Sequence, residues 1–253
     1  MLEINTILIP LKIIKISAIG STNDYLKKLS KSSTLEDETV VQTLHQTHGK
    51  GQMGASWQFE IGKSLAFSIF KKAEGLPISH QYLVNFAVSL GVKNGLVAIG
   101  IPKIAIKWPN DILADGKKVC GILVENQFKH NETIHSIIGI GINVNNTGFS
   151  KYPQASSLRL NTGILYAMDE VFDTVTQAIL SELRNIHEAN FEEYKKQYEA
   201  CLFRKGEIST FENLERIKFN GIIEGVSNNG LLLVKLKDDS VKEFRLKELK
   251  LLY

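Results

Sequence analysis

Lysine, amide and carboxylate side chains lie close together in the segment Lys107-Trp108-Pro109-Asn110-Asp111, and Lys118 follows a polar turn. The apolar residues around them predict two strands joined at Asp115-Gly116, a pair typical of a type I′ turn. Lysines beside an amide and a carboxylate can bind and polarise a phosphate or a carboxylate. The spacing alone is also compatible with a surface hairpin whose charges are solvated. On spacing alone, such a hairpin is more frequent than an anion-binding site.

Three further motifs carry groups that could bind a small molecule. Ser21-Thr22-Asn23-Asp24 precedes a predicted helix, and Ser21 or Thr22 can cap its free backbone N–H groups. The glycine-rich segment from Gln46 to Gly54 lets backbone N–H groups approach an anion closely, and Trp57 follows it. The third motif is Gly139-Ile140-Gly141-Ile142-Asn143-Val144-Asn145.

The glycine-rich segment also satisfies the spacing Gly-x-Gly-x-x-Gly of dinucleotide-binding sites. Such a site needs a helix immediately after the glycines, because the helix N-terminus receives the pyrophosphate. Trp57-Gln58-Phe59-Glu60 and then Gly62 follow here, and these residues are unfavourable for a helix. The sequence therefore does not predict a dinucleotide site.

In their order and approximate spacing, the four motifs resemble the signature of biotin–protein ligases. The similarity runs from about residue 12 to about residue 160 and continues more weakly to residue 253. It implies an enzyme that uses ATP and Mg²⁺ to convert biotin into biotinyl-5′-AMP. It also implies a second step, in which a lysine of a biotin carboxyl carrier domain takes the biotinyl group and releases AMP.

The resemblance also implies roles for individual residues. Lys118 would be catalytic, contacting the biotin carboxylate and the α-phosphate. Asp111 would be catalytic too, either orienting Mg²⁺-bound phosphates or accepting a proton from the incoming amine. The expected biotin-binding residues are Ser21, Thr22, Asn23, Gln46, Gly49, Lys50, Gly51, Gln52, Lys118 and Gly121. The expected nucleotide-binding residues are Trp57, Lys107, Asn110 and Asn143, and no metal site is expected from the protein alone.

The glycine-rich loop departs from the commonest pattern of that family, in which several arginines occur. This chain has Lys50, Gln52 and Met53 there. Lysine and glutamine cannot replace the bidentate contacts of a guanidinium with phosphate. We expect residues 49–56 to be mobile without ligand, because ordering glycines has a large entropic cost.

The pattern of apolar residues predicts an α+β fold, a mostly antiparallel sheet packed with helices. The resemblance implies the fold of class II synthetases and of the catalytic domain of biotin ligases. Strands are predicted at residues 13–18, 39–45, 64–70, 103–108, 112–114, 119–126 and 133–145. Helices are predicted at residues 24–30, from Pro77 or Ser79 to about residue 96, and in two pieces over 168–201. The composition changes near Phe203, which predicts a main domain at 1–203 and a small β-barrel at 204–253. The resemblance implies that the first is the catalytic domain and that the barrel is SH3-like.

Composition limits the possible partners. The chain has 253 residues, is 43% hydrophobic and carries a net charge of +3, too small to indicate nucleic-acid binding by itself. Residues 1–19 lack the pattern of a signal peptide, and no apolar run is long enough to span a membrane. Cys120 and Cys201 lack zinc spacing, so reduced thiols are expected. These features predict a cytoplasmic protein, monomeric or weakly dimeric, without membrane or specific DNA contacts.

Three alternatives belong to other functional classes. A lipoate or octanoate ligase shares the catalytic fold, but the Lys-Trp-Pro-Asn-Asp motif argues against it. A DNA-binding regulator with biotin as corepressor would need a DNA-binding domain, and only about a dozen residues precede the first predicted strand. The third alternative is a non-catalytic biotin-binding protein.

Overall fold

The structure, a computed structural model, describes residues 11–128 and 134–253. A seven-stranded sheet lies at its centre, with the strand order β1-β2-β5-β9-β8-β7-β6. The strands are β1 (Ile13–Ile16), β2 (Val40–Thr43), β5 (Ser64–Ala73), β6 (Ile104–Lys107), β7 (Asp111–Ala114), β8 (Lys117–Phe128) and β9 (Ile134–Asn143). Neighbouring strands are antiparallel except for β1 and β2, so the mostly antiparallel sheet is confirmed. Of the predicted segments, residues 1–10 and Thr133 lie outside the described residues.

Helices cover both faces of this sheet. They are α1 (Thr22–Ser32), α2 (Tyr82–Ala98), α3 (Leu158–Thr162), α4 (Met168–Arg184) and α5 (Phe191–Ala200). The prediction that α2 begins at Pro77 or Ser79 is wrong. His80 and Gln81 donate their backbone N–H groups to residues three positions back, and this tight 3-10 turn delays the α-helix to Tyr82.

Strand β5 shows how the sheet separates two layers of core. Phe67 faces α2 and α4, where its ring meets Phe172 edge-on with 5.1 Å between centroids. Phe70 faces α1 and packs in a separate cluster with Leu26. Because successive side chains of a strand point to opposite faces, Ser68 lies on the α1 side with Phe70. This position places a hydroxyl beneath the first turn of α1.

A hairpin and a second sheet complete the described fold. The hairpin pairs β3 (Gly49–Lys50) with β4 (Ser56–Trp57), and a 3-10 turn connects the two strands. The second sheet has the order β13-β12-β11-β10-β14. Its strands are β10 (Ile208–Asn213), β11 (Lys218–Val226), β12 (Leu232–Lys235), β13 (Val241–Phe244) and β14 (Leu249–Leu252). This small antiparallel unit agrees with the expectation for the C-terminal region.

The C-terminal sheet packs directly on the remainder of the chain. Phe211 and Val234 are fully buried and belong to the same apolar cluster as the sheet–helix core. The boundary between residues 203 and 204 therefore stays a prediction. Cys120 is buried and Cys201 half-buried, and both are free thiols. Within the described ranges, no helix combines the length and apolar character that a membrane span requires.

Candidate functional site

A cavity of about 630 Å³ lies between the central sheet, the β3–β4 hairpin and the C-terminal sheet. The first turn of α1 and Gln46 form one side, and β8 and β9 form the floor. Residues on and before β14 form the opposite side. This volume lies within the range of roughly 300–1,000 Å³ that is typical of small-molecule sites.

The cavity is strongly positive. Its charged lining residues among those described are the five lysines Lys50, Lys107, Lys118, Lys247 and Lys250 and a single carboxylate, Asp111. Lys118 Nζ lies 2.6 Å from Asp111 Oδ1, and Lys107 Nζ lies 3.8 Å from Asp111 Oδ2. Burial lowers the pKa of Lys107 below 10.5, and the charge of Asp111 offsets this only in part. An excess of lysine charge inside a cavity favours an anionic ligand.

Strand pairing and turn geometry bring the charged groups of the hairpin together. Lys107 and Asp111 stand opposite each other in the antiparallel pair β6–β7. Asp115 and Gly116 have φ angles of 47° and 76°, in agreement with the predicted type I′ turn. The tight turn sends β8 back along β7, so that Lys118 returns to Asp111.

The peptide between β6 and β7 is held from two sides. The Pro109 carbonyl accepts hydrogen bonds from Asn85 Nδ2 at 3.0 Å and from the Tyr198 hydroxyl at 2.7 Å. The Asn110 side-chain amide donates to the carbonyl of Ile122 on β8. The Ile122 N–H in turn donates to the Asn110 carbonyl. These contacts leave Asp111 on a rigid support.

The side of the cavity formed by α1 carries neutral polar groups. The Ser21 hydroxyl accepts the Asp24 N–H and caps the helix, as the sequence predicted. Gln46 Oε1 accepts the backbone N–H of Thr22 at 3.1 Å. This bond fixes the orientation of the Gln46 amide, and its Nε2 has no hydrogen-bond partner among the described residues. A hydroxyl and an amide can thus face a neutral polar ligand group.

Glycines on β8 and β9 make room for Trp57. A Cβ at Gly141 would lie 2.5 Å from Trp57 Cε2, and one at Gly121 would lie 3.1 Å from Cζ3. The Lys118 ammonium lies 5.7 Å from the centroid of the indole ring. Trp57 Nε1 is buried without a hydrogen-bond partner among the described residues. A buried N–H of this kind is stabilised when a ligand supplies an acceptor.

The structure brings most of the predicted site residues together in this cavity. The predicted residues that line it are Ser21, Thr22, Asn23, Gln46, Lys50, Gly51, Gln52, Trp57, Lys107, Asn110, Asp111, Lys118 and Gly121. Their predicted contacts with biotin or nucleotide stay predictions.

Gly49 and Asn143 do not line the cavity. Asn143 Nδ2 donates to the Ser156 carbonyl at 3.0 Å, and the Ser156 N–H donates to the Lys118 carbonyl at 2.8 Å. The Asn143 amide is therefore used to hold the segment beside Lys118. Gly49 has a packing role, because a Cβ there would lie 2.6 Å from the Trp57 carbonyl. The biotin contact predicted for Gly49 and the nucleotide contact predicted for Asn143 stay predictions.

Sequence reasoning missed the C-terminal wall of the cavity. Lys247 and Lys250 line it, together with Leu246, Leu249 and Leu251. Lys247 Nζ also donates to the Met53 carbonyl of the β3–β4 hairpin at 3.0 Å. In the sequence these lysines stand among leucines and Glu248, like solvated residues of an ordinary surface segment, so no local signal distinguishes them.

The biotin/lipoate A/B protein ligase family model matches residues 16–143, about half of the chain. The chain belongs to this family. The matched region contains α1, the β3–β4 hairpin and the Lys107–Lys118 hairpin, so it supplies most of the cavity.

Individual relatives of the family differ in how much of their length the chain matches. It is 35% identical over 127 residues to the bifunctional ligase/repressor BirA of Bacillus spizizenii, covering 50% of this chain and 38% of BirA. It is 26% identical over 220 residues to the biotin–[acetyl-CoA-carboxylase] ligase of Paracoccus denitrificans, covering 85% and 90%. The chain thus spans much less than two thirds of BirA and most of the second relative.

A solved structure of the family has the same fold over nearly the whole chain. The biotin protein ligase of Aquifex aeolicus, in complex with biotin and ATP, superposes with a TM-score of 0.77 and 27% identity. The match covers 95% of this chain and 98% of that protein. The C-terminal sheet of this ligase-family chain is therefore part of the shared fold.

Proposed function

We propose that this protein is an ATP-dependent biotin–protein ligase. In the first step, a biotin carboxylate oxygen attacks the α-phosphorus of ATP, the bond to the β-phosphate oxygen breaks, and pyrophosphate leaves. In the second step, a lysine amine of a biotin carboxyl carrier domain attacks the acyl carbon of biotinyl-5′-AMP. An amide bond forms, the amine loses a proton, and AMP leaves.

The observation that carries this proposal is the lysine-rich cavity around the Lys118–Asp111 pair. Two anions about 4 Å apart repel each other by several kcal/mol in a partly desolvated site. Lys118 can reduce this repulsion between the carboxylate and the α-phosphate and stabilise the charge of the transition state. The Asp111 carboxylate pairs with the Lys118 ammonium at 2.6 Å, and this contact keeps the ammonium oriented. Lys107, Lys247 and Lys250 add positive potential for the phosphates.

Mg²⁺ is proposed as an ion that arrives with the phosphates of ATP. In the described ranges, no three His, Cys, Asp or Glu side chains form a group that could hold a metal. Asp111 can supply one carboxylate, and phosphate oxygens with water would complete the oxygen ligands that Mg²⁺ prefers. Its contribution would be to neutralise the charge of the leaving pyrophosphate.

The neutral polar side of the cavity favours biotin over lipoate or octanoate. The ureido ring of biotin has N–H donors and a carbonyl acceptor, and the Thr22 hydroxyl and Gln46 amide can pair with both kinds of group. A dithiolane or an alkyl chain offers neither. Either would leave the Gln46 Nε2 donor unpaired, at a cost of roughly 1–3 kcal/mol.

One assay separates the candidate functions. The protein is incubated with ATP, Mg²⁺ and either radiolabelled biotin, lipoate or octanoate, with and without a purified biotin carboxyl carrier domain. We expect labelled adenylate from biotin only, and a labelled carrier when that domain is present. An adenylate formed from lipoate or octanoate in preference to biotin would replace the proposal with the alternative ligase activity. Biotin binding without any adenylate would indicate a non-catalytic binding protein.

A further inference from the structure

A chain of hydrogen bonds leads from the polar side of the cavity to a carboxylate outside its lining. Asn23 Nδ2 donates to Glu125 Oε2 at 3.0 Å, and Asn23 Oδ1 accepts from the Ser68 hydroxyl at 2.6 Å. The Ser68 and Thr22 hydroxyl oxygens lie 2.7 Å apart. Asn23, Ser68 and Thr22 are almost completely buried, so water does not compete for these bonds.

The Asn23 amide is closely packed, and its hydrogen bonds fix its orientation. A Cβ at Gly139 would lie 2.3 Å from Asn23 Oδ1, so the amide rests directly on the backbone of β9. Its NH₂ group is used by Glu125 and by the Leu123 carbonyl at 3.4 Å. Asn23 therefore supports the wall of the cavity and has no N–H left for a ligand.

The donor and acceptor capacities of these groups give the chain of hydrogen bonds a single direction. A carboxylate only accepts hydrogen bonds, so Glu125 keeps the NH₂ group of Asn23 toward itself and the amide oxygen toward Ser68. That oxygen also only accepts, so the single proton of the Ser68 hydroxyl goes to it. The contact between Ser68 and Thr22 then needs the proton of Thr22. The Thr22 hydroxyl oxygen also lies 3.3 Å from Gln46 Oε1, and with its proton directed to Ser68 this longer contact is not a hydrogen bond. The Thr22 oxygen is left with lone pairs alone for the cavity.

The neighbouring amide has the complementary polarity. Gln46 Oε1 accepts the Thr22 backbone N–H, so Gln46 Nε2 is the part of the amide that can donate to a ligand. The cavity wall thus offers an acceptor on Thr22 beside a donor on Gln46. A ureido group has an N–H beside a carbonyl oxygen, which is the matching arrangement.

We propose that Glu125 is a positioning residue that sets the donor–acceptor polarity of the ligand site through Asn23, Ser68 and Thr22. The inference rests on the proposed biotin specificity and adds the reason for it. Glu125 does not itself line the cavity. Its other oxygen pairs with Lys27 Nζ at 2.9 Å.

The decisive variant is Glu125→Gln, which keeps the shape of the side chain and adds a donor. Its NH₂ group can donate to Asn23 Oδ1, so the Asn23 amide can turn and the protons of Ser68 and Thr22 can reverse. Thr22 would then present a donor to the cavity. We expect the biotin Kd without ATP to rise about tenfold or more, whereas the KM for ATP changes less than about twofold.

The polarity itself is tested with two cyclic carbamate analogues of biotin, each with an oxygen in place of one ureido N–H. The wild-type protein should prefer biotin over both analogues in calorimetric titrations. Glu125→Gln should reduce this preference about tenfold or more for the analogue whose oxygen faces Thr22. Lys27→Met is the matched control, because it removes the ion pair and leaves the carboxylate, so it should keep the wild-type preference.

Ser68→Ala tests whether the effect travels along this chain. It interrupts the path between Asn23 and Thr22, so Glu125→Gln should have no further effect on ligand preference in that background. Unchanged preference in folded Glu125→Gln, or the full effect of Glu125→Gln in the Ser68→Ala background, would overturn the inference. Absence of biotin binding by the wild-type protein would instead overturn the proposed function. Thermal unfolding of each variant identifies a loss of fold, and the Glu125→Gln comparison decides even if Ser68→Ala unfolds.

Discussion

At the scale of single residues, Lys118 has the position that anion chemistry requires. Its ammonium contacts Asp111, lies over the Trp57 ring and projects into the cavity. Its side chain is one-third exposed, so its contribution to packing is small. Cys120, two residues later, faces the core, and burial raises the pKa of its thiol, so it is unsuited to act as a nucleophile at neutral pH.

Lys118→Ala should abolish biotinyl-adenylate formation and leave the fold intact. The lost contact acts mainly in the transition state, so the rate should fall more than about a hundredfold, equivalent to about 3 kcal/mol. The measurement is pyrophosphate release in single turnover. Lys103→Ala is the matched control, because Lys103 also pairs with an aspartate, Asp115, but is largely exposed and does not line the cavity. A Lys118→Ala protein with a third of the wild-type rate would disprove the assignment.

Lys107 should make ATP binding sensitive to alkaline pH. Because burial lowers its pKa below 10.5, Lys107 loses its positive charge at a lower pH than an ordinary lysine. The KM for ATP should therefore rise as pH increases through the lowered pKa of Lys107 toward 10.5. In Lys107→Arg the KM should stay constant to higher pH. The deprotonation itself does not destabilise the fold, since the unfolded chain holds this proton more tightly than the folded one. Parallel KM profiles of the two proteins would contradict this role.

At the scale of elements, the β3–β4 hairpin covers the cavity. It is also the part of the site that differs most from the usual family pattern. It lacks arginine, and Lys247 of the C-terminal region contacts its Met53 carbonyl instead. Met53 itself has a φ of 52°, so the turn adopts a conformation that is unfavourable for most residues. With few strong contacts to offset the cost of ordering, the closed hairpin should be only modestly favoured.

The reaction intermediate should consequently leave this protein more readily than an arginine-bearing relative. Each 1.4 kcal/mol of lost contact corresponds to about a tenfold faster release if association is unchanged. Gln52→Arg should slow release of biotinyl-5′-AMP, and Gln52→Gly should accelerate it and increase biotinylation of unrelated lysines. Stopped-flow release from the three proteins is the measurement. Rates that agree within about twofold would show that Gln52 does not retain the intermediate.

At the scale of the whole molecule, the ligand cavity depends on contacts between distant parts of the chain. Trp108, within the Lys107–Lys118 hairpin, donates its indole N–H to the Gly230 carbonyl at 2.9 Å. Gly230 also packs on Tyr82, since a Cβ there would lie 2.2 Å from the Tyr82 ring. The C-terminal sheet is therefore attached to the same hairpin whose charges it faces across the cavity.

Trp108→Phe should raise the KM for ATP and lower the stability of the fold together. The variant keeps an aromatic ring but loses one half-buried hydrogen bond, which corresponds to about 1 kcal/mol of unfolding free energy. The KM for ATP should rise, because Lys247 and Lys250 would be held less firmly. Thr210→Ala removes a hydrogen bond inside the C-terminal sheet and serves as the control with unchanged KM. If Trp108→Phe matched that control in both KM and thermal unfolding, the link would have no functional role.

Much of the fold and of the candidate site could be predicted from sequence, because the signals are local. The alternation of apolar residues in β5, the cap at Ser21 and the turn at Asp115-Gly116 all depend on near neighbours in the chain. The motifs around Gln46 and Lys118 indicate the chemistry through their resemblance to a family signature, since their residue types and the order of those residues are distinctive.

Only the tertiary structure decided which of these groups share one cavity. Asn143 turned toward the Ser156 carbonyl, and Lys247 reached the cavity from the far end of the chain. The connection from Glu125 through Asn23 and Ser68 joins three elements that are distant in sequence. Burial, hydrogen-bond direction and pKa depend on what surrounds a side chain in space, and that environment is assembled only when distant segments pack together.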